Sequence, residues 1–196
     1  HPGATPRLVE AHSAWVILAG DYAYRLKKPV DLGFLDFSTL DRREHCCREE
    51  VRLNSRLAPD TYLDVVAVTG TPEQPRIGGG GTVLEWAVRM RAFPADATLD
   101  REAEINATQI DAIADRVARF HREIAVAPAS GGFGSSEAVQ APVAENFRQL
   151  RARLPAGDAR LAHLQAWSQA EGRRLAGHFA ARREQGFVRE CHGDLH

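Results

Sequence analysis

The sequence predicts an α+β protein in which a β-rich lobe with one helix, residues 1–93, precedes a helical lobe, residues 94–196. Three observations carry this. The first half holds four strand-like apolar runs. A single helix-like stretch interrupts them, opening after good N-cap residues and closing at a proline. The second half places its apolar residues at helical spacing almost to its end. At 196 residues with 44% hydrophobic content, such a chain can bury a core as one domain or two compact lobes.

In chain order, "AWVILAG" and "YAYRLKKP" are β-rich and meet at Gly20-Asp21, a tight-turn signal, so they read as a hairpin. "VDLGFLDFST" reads as a loop ending at Ser38 or Thr39, either of which can cap a helix running from about Leu40 to Ala58, before Pro59. "YLDVVAVTG" is a third strand. In the fourth, "TVLEWAVRMRAF", alternation puts Leu84, Trp86, Val88 and Met90 on one face and Glu85, Arg89 and Arg91 on the other. A connection near Phe93-Pro94 leads into "INATQIDAIADRVARFHREI", with Ile110, Ile113, Val117 and Ile124 at helical spacing and Asn106 or Thr108 as its cap. After the loop "GGFGSS" comes a shorter helix over "APVAENFRQLRARL", then one long helix from about Ala159 to Glu184, ended by Gly186. "FVREC" is then a short strand leading into "HGDLH".

Composition excludes several functions. A net charge of -1 gives no electrostatic case for nucleic acid or an anionic membrane surface. No apolar run approaches the roughly 20 residues of a membrane-spanning helix, and no signal-peptide pattern is present. Cys46, Cys47 and Cys191 make a poor disulfide framework, which points to a reducing cytoplasm. Cys191, His192 and His196 with Asp194 fit a zinc site poorly, because the spacing is too tight and no second Cys/His pair stands nearby. The run Gly78–Gly81 lacks the Lys-Ser/Thr of a phosphate loop and opens a strand, so it reads as a hairpin connection.

The remaining polar residues suggest phosphoryl transfer. Two lobes joined by a short connection form a cleft, where small-molecule sites usually lie. The first lobe offers a basic strand (Arg25, Lys27, Lys28) and an acidic helix face (Glu49, Glu50), and the second ends in an Asp within a Gly-containing loop. Such chemistry needs a cation against nucleotide phosphates, an acid to hold it, and an Asp to receive a hydroxyl proton.

"CHGDLH" resembles the catalytic loop of the aminoglycoside phosphotransferase-like branch of the protein-kinase-like fold, in which H-G-D stands for the H-R-D of protein kinases. The stretch from "LVEAHSAWVILAG" to "RLAPDTYLDV" is similar to one bacterial group that joins such a domain to a C-terminal P-loop ATPase domain. The resemblance is strongest at Trp15–Asn54 and Arg189–His196. It implies a two-lobe kinase-like fold whose helical lobe is truncated here, using ATP and Mg²⁺ to phosphorylate a hydroxyl of a small molecule. It implies Asp194 as catalytic base, His192 as the brace of the loop, Lys27 as the strand lysine on the nucleotide phosphates, and Glu50 as the helix acid that positions it.

Helix phase supports Glu50, since Leu53, Asn54 and Leu57 follow on the same side while Glu49 points elsewhere. Alternation puts Ala23, Arg25 and Lys27 on one strand face and Lys28 on the other, so Arg25 is the neighbour or substitute of Lys27. Met90, on the fourth strand, joins the nucleotide-binding candidates. The stretch matching the glycine-rich loop, Glu10–Ala14, has no glycine, which leaves Ser13 and the main chain to approach the phosphates. The loop Asn expected five positions after Asp194, and the metal-binding Asp expected later, fall beyond His196. The chain is therefore expected to be a fragment cut within the catalytic loop, with no metal ligands of its own and no turnover alone. The alternative function is a non-catalytic kinase-like module that binds nucleotide or a partner and regulates the fused P-loop domain.

Overall fold

A computed structural model describes residues 5–94, 96–102, 104–128, 130–155 and 157–193. The chain forms two compact units, His1–Ile110 and Asp111–His196. It is a mixed α+β protein, with an antiparallel sheet confined to the first unit.

The strands are β1 (Arg7–Glu10), β2 (Ala14–Ala19), β3 (Tyr22–Lys27), β4 (Tyr62–Thr71), β5 (Gln74–Ile77) and β6 (Val83–Arg91). They form one six-stranded sheet in the order β1-β2-β3-β6-β4-β5. The β2–β3 hairpin turns at Gly20-Asp21 as expected, pairing Ala19 with Tyr22 and Ala14 with Lys27. β6 inserts between β3 and β4 and becomes the centre of the sheet, where Ala87 and Val88 have no exposed surface. Two strands go beyond the sequence expectation. β1 is exposed along its whole length and β5 likewise, so neither carries the buried alternation by which a strand is recognised.

One helix, α1 (Leu40–Asn54), packs on this sheet. The Thr39 hydroxyl accepts the Arg42 N–H and caps it, as its sequence context suggested. The helix ends at Asn54 rather than Ala58; the bonds Leu57 N–H to Asn54 O and Ala58 N–H to Asn54 O belong to a turn. Pro59 disfavours helical backbone at the residue before it, Ala58, so the helix does not resume after that turn. The face that α1 turns inward is unusually polar: Arg43, Cys47 and Glu50, at i, i+4 and i+7. Small side chains on that face of the sheet, Ala14 and Ala23, together with the fully buried Cys47, make room for these long polar groups.

The second unit holds most of α2 (Ala107–Glu123), then α3 (Ser136–Arg153), α4 (Ala159–Arg174) and α5 (Ala176–Glu184). Asn106 and Gln109 exchange side-chain-to-backbone hydrogen bonds of 3.0 and 2.9 Å, a capping box that starts α2. The third helix starts five residues earlier than the Ala141 start expected from the sequence. Ser135 caps it, and Pro142, which by preference would mark a first turn, lies inside it. The long helix expected over 159–184 is interrupted at Leu175, flanked by Gly172 and Gly177, whose backbone freedom weakens a helix. Gly172 faces α3 so closely that an added Cβ would lie 2.6 Å from the Gln140 amide. Gly186, at φ 73°, ends α5 with the paired bonds Phe187 N–H to Arg182 O and Gly186 N–H to Arg183 O, a left-handed closure open to glycine. The run "FVREC" is reduced from a strand to a single bridge, Val126 with Arg189, because only the Val126 segment lies alongside it.

Candidate functional site

The β3 side chains that share a face, Ala23, Arg25 and Lys27, look toward α1. Glu50 reaches them from the middle of that helix. One carboxylate oxygen accepts from the Lys27 Nζ at 2.6 Å and the other from an Arg25 Nη at 3.1 Å. The two cations differ in access: the Lys27 side chain is 8% exposed, that of Arg25 36%, and Glu50 lies between them at 10%. The Lys27 ammonium also sits 4.9 Å from the centre of the Phe37 ring, itself buried. A ring face attracts a cation, so Phe37 and Glu50 enclose Lys27 between them. The Val30 carbonyl accepts the Phe37 N–H and folds the loop back so that Phe37 lands there.

A second buried pair lies one helical turn and more away. Both Glu85 oxygens accept from the Arg43 Nε, at 2.8 and 3.0 Å, and an Arg43 Nη donates to the Phe37 carbonyl. Thus α1 is tied to β3 and β6 by charged groups, and the same two ties fix the loop that carries Phe37. Cys47, between the pairs, has its thiol pushed up to about 11 by burial, so it stays protonated and packs as a small apolar group. The Tyr62 hydroxyl is pushed up by burial and then by the Glu50 carboxylate, which places β4 at the edge of the same cluster.

Lys28 belongs elsewhere. It points to the other face, bonds the Glu10 carboxylate of β1 at 2.5 Å and lies over the Trp15 ring. Glu49, on the outer face of α1, pairs with Arg52. Met90 sits opposite Ala23 in β3, on the face that bears Arg25 and Lys27. Ser13 lies in the β1–β2 turn, which is closed by the Ala11 N–H on the Ala14 carbonyl, while the Ser13 carbonyl accepts the Lys28 N–H. Among the described residues no non-glycine residue has positive φ, so this turn forms in ordinary backbone without the glycine its position led one to expect.

In the second unit, Arg189 donates to the Arg122 and Ile124 carbonyls at 3.0 and 2.7 Å and so caps the C-terminal end of α2. This anchors the segment leading to His192, which is part-buried, and to Gly193, at φ 80°. Val126, Phe133, Val188, Cys191 and Gly193 line an apolar cavity of about 560 Å³ beside that segment. Asp194, the expected catalytic base, lies outside the described residues, as do Leu195 and His196. Among the described residues there is no group of three or more His, Cys, Asp or Glu side chains placed to hold a metal ion, and no helix long and apolar enough to cross a membrane.

Of the expected nucleotide-site residues, Arg25, Lys27 and Glu50 are therefore in direct contact. Sequence reasoning missed Phe37, Arg43 and Glu85. An alternating strand marks Glu85 as outward-facing, and nothing local indicates that α1 would supply it with an arginine.

The sheet and helix define an α+β protein with a buried acid shared by two strand cations. Its curated relatives are mycobacterial: two proteins from strains of Mycobacterium tuberculosis and one from Mycobacterium bovis, each described as an uncharacterized protein and each 32% identical over 191 residues, or 95% of this chain. The chain spans 37% of the length of these relatives. No family model and no solved structure matches it.

Proposed function

We propose that this chain belongs to an ATP-dependent phosphotransferase of protein-kinase-like architecture that acts on a hydroxyl of a small molecule. The observation that carries the reading is the Glu50 carboxylate, held inside the first unit against Lys27 and Arg25. A buried acid bridging two cations on one strand keeps both in fixed positions and leaves a surplus positive charge, which suits a polyphosphate. ATP, when bound with Mg²⁺, supplies the phosphoryl group. In this chain the β3 cations bind and orient its phosphates, Ser13 and Met90 lie on the strands and turn around them, and Asp194 takes the proton of the acceptor hydroxyl with His192 bracing its loop.

A non-catalytic reading is favoured by one feature, the glycine-free β1–β2 turn. In that case the chain binds nucleotide or a partner and regulates the fused P-loop ATPase domain that the sequence resemblance implies. One experiment separates the two. Transfer of labelled γ-phosphate from ATP to a panel of hydroxylated small molecules is measured with the longest protein that contains this chain, beside Asp194→Ala. The phosphotransferase reading expects transfer that falls by about 10²- to 10⁴-fold in the variant while ATP binding is kept. ATP binding with no transfer in either protein would leave the regulatory module; equal transfer in both would remove Asp194 from the chemistry.

A further inference from the structure

We propose that Lys28 is a positioning residue that holds the β1–β2 turn, residues 11–13, from both of its ends. Held in this way, the turn keeps its free main-chain N–H groups in register with Lys27 and offers them to the nucleotide phosphates without a glycine. This rests on the nucleotide-binding reading above and says how such a site does without a glycine-rich loop.

Both contacts come from one residue. The Lys28 main-chain N–H donates to the Ser13 carbonyl at 2.9 Å, at the β2 end of the turn. The Lys28 ammonium donates to the carboxylate of Glu10, the last residue of β1, at 2.5 Å. Trp15 stands directly opposite Glu10 in the strand register, and the same ammonium lies over its ring, 5.5 Å from the centre. The Lys28 hydrogen bond and charge, and after them the Trp15 side chain, hold the Glu10 carboxyl below its ordinary range. The side chain of Lys28 is 16% exposed and that of Glu10 66%. An ion pair so open on one side adds little to overall stability, so its effect is local: it fixes the turn between the two contacts.

Glycine serves a phosphate loop by letting main-chain N–H groups approach the anion in conformations that other residues avoid. This turn has ordinary backbone and closes on itself through the Ala11 N–H and the Ala14 carbonyl, at 2.9 Å. Among the described residues, no acceptor meets the N–H of His12 or of Ser13. They are consecutive main-chain donors, the kind of group that gathers around an anion. A turn that cannot flex onto its ligand binds well only if it is already in place, because ordering it on binding costs affinity. Ala14, paired with Lys27 and 1% exposed, fixes where the turn leaves the sheet. Adjacent lysines thus divide the work: Lys27 faces Glu50 on α1, and Lys28, on the opposite face, sets the turn.

The test is calorimetric titration of the chain with ATP and with adenosine, for wild type, Lys28→Met, Lys28→Arg and Glu10→Gln. Ligand-free thermal denaturation and amide hydrogen exchange at Ala11 are measured beside it. Lys28→Met and Glu10→Gln are each expected to weaken ATP binding by about 3- to 10-fold and to leave adenosine binding as in wild type. Their ligand-free Tm should stay within about 3 °C of wild type, while exchange at Ala11 becomes faster. Lys28→Arg keeps the charge and can stack on the indole, so it should stay close to wild type in all of these. A merely structural ion pair would instead lower the Tm, or weaken ATP and adenosine alike. Either of those results, or wild-type ATP affinity in Lys28→Met, would overturn the assignment. If wild type shows no preference for ATP over adenosine, the nucleotide reading itself falls and takes the assignment with it. Faster Ala11 exchange at unchanged ATP affinity removes the assignment alone.

Discussion

Glu50→Ala should be among the most damaging single substitutions in the first unit, for electrostatic reasons. At the 2.6 Å separation of the Lys27–Glu50 pair and an effective dielectric of about 20, their direct attraction is about 6 kcal/mol. Most of that offsets the desolvation of two charges that are 8% and 10% exposed, so the pair as a whole contributes far less than its Coulomb energy. Removing only the acid leaves the desolvation of Lys27 uncompensated. Arg25, at 36% exposure, can turn to water, whereas Lys27 under Phe37 cannot. Breaking one side of such a pair costs about 3–5 kcal/mol. The double variant Glu50→Leu/Lys27→Met removes both charges and fills the space with apolar atoms, and it should lie within about 1–2 kcal/mol of wild type. Urea denaturation would read this, followed by circular dichroism and by tryptophan fluorescence, with Trp15 and Trp86 reporting on the first unit and Trp167 on the second. The reasoning would be refuted by a Glu50→Ala cost below about 1 kcal/mol, or by a double variant less stable than Glu50→Ala.

Two further outcomes follow from local geometry. The Asp36 carboxyl is held at about 2, below its ordinary 3.8, by hydrogen bonds from the Ser38 hydroxyl and N–H and then by Arg42. A depressed carboxyl stabilises the fold above its unfolded pKa, and that contribution disappears as pH falls through the folded one. The stability difference between wild type and Asp36→Ala should therefore be full above pH 3.8 and shrink as pH falls to about 2; a difference independent of pH in acid unfolding would count against it. Gly134→Ala should destabilise the second unit by about 2 kcal/mol, because Gly134 has φ 71° and an added Cβ would lie 2.4 Å from a Val188 methyl. Thermal unfolding of that variant at the wild-type Tm would show that the Val188 segment gives way freely.

Much of the architecture was legible because it depends on local signals. The hairpin at Gly20-Asp21, the Thr39 cap, the Asn106 capping box and the Gly186 stop are each set by a residue and its near neighbours, and all appear where the chain suggested. The misses have a common cause. β1 and β5 are exposed edge strands that show no buried alternation, and the break at Leu175 falls where Gly172 and Gly177 weaken a helix that periodicity alone would continue. The helix α3 starts earlier than expected because Ser135 supplies its cap and Pro142 is carried inside it.

For the candidate site, strand alternation and helix phase by themselves determined that Arg25 and Lys27 share a face and that Glu50 turns inward, since these are consequences of periods fixed by backbone geometry. What only the tertiary structure decided is how far each group is from water. Phe37 covers Lys27 through a loop whose path depends on the Val30–Phe37 bond and on Arg43, and Arg43 in turn depends on Glu85 across the sheet. Burial is set by such contacts between residues distant in sequence. Two cations that look equivalent along a strand thus become one enclosed ammonium and one half-buried guanidinium.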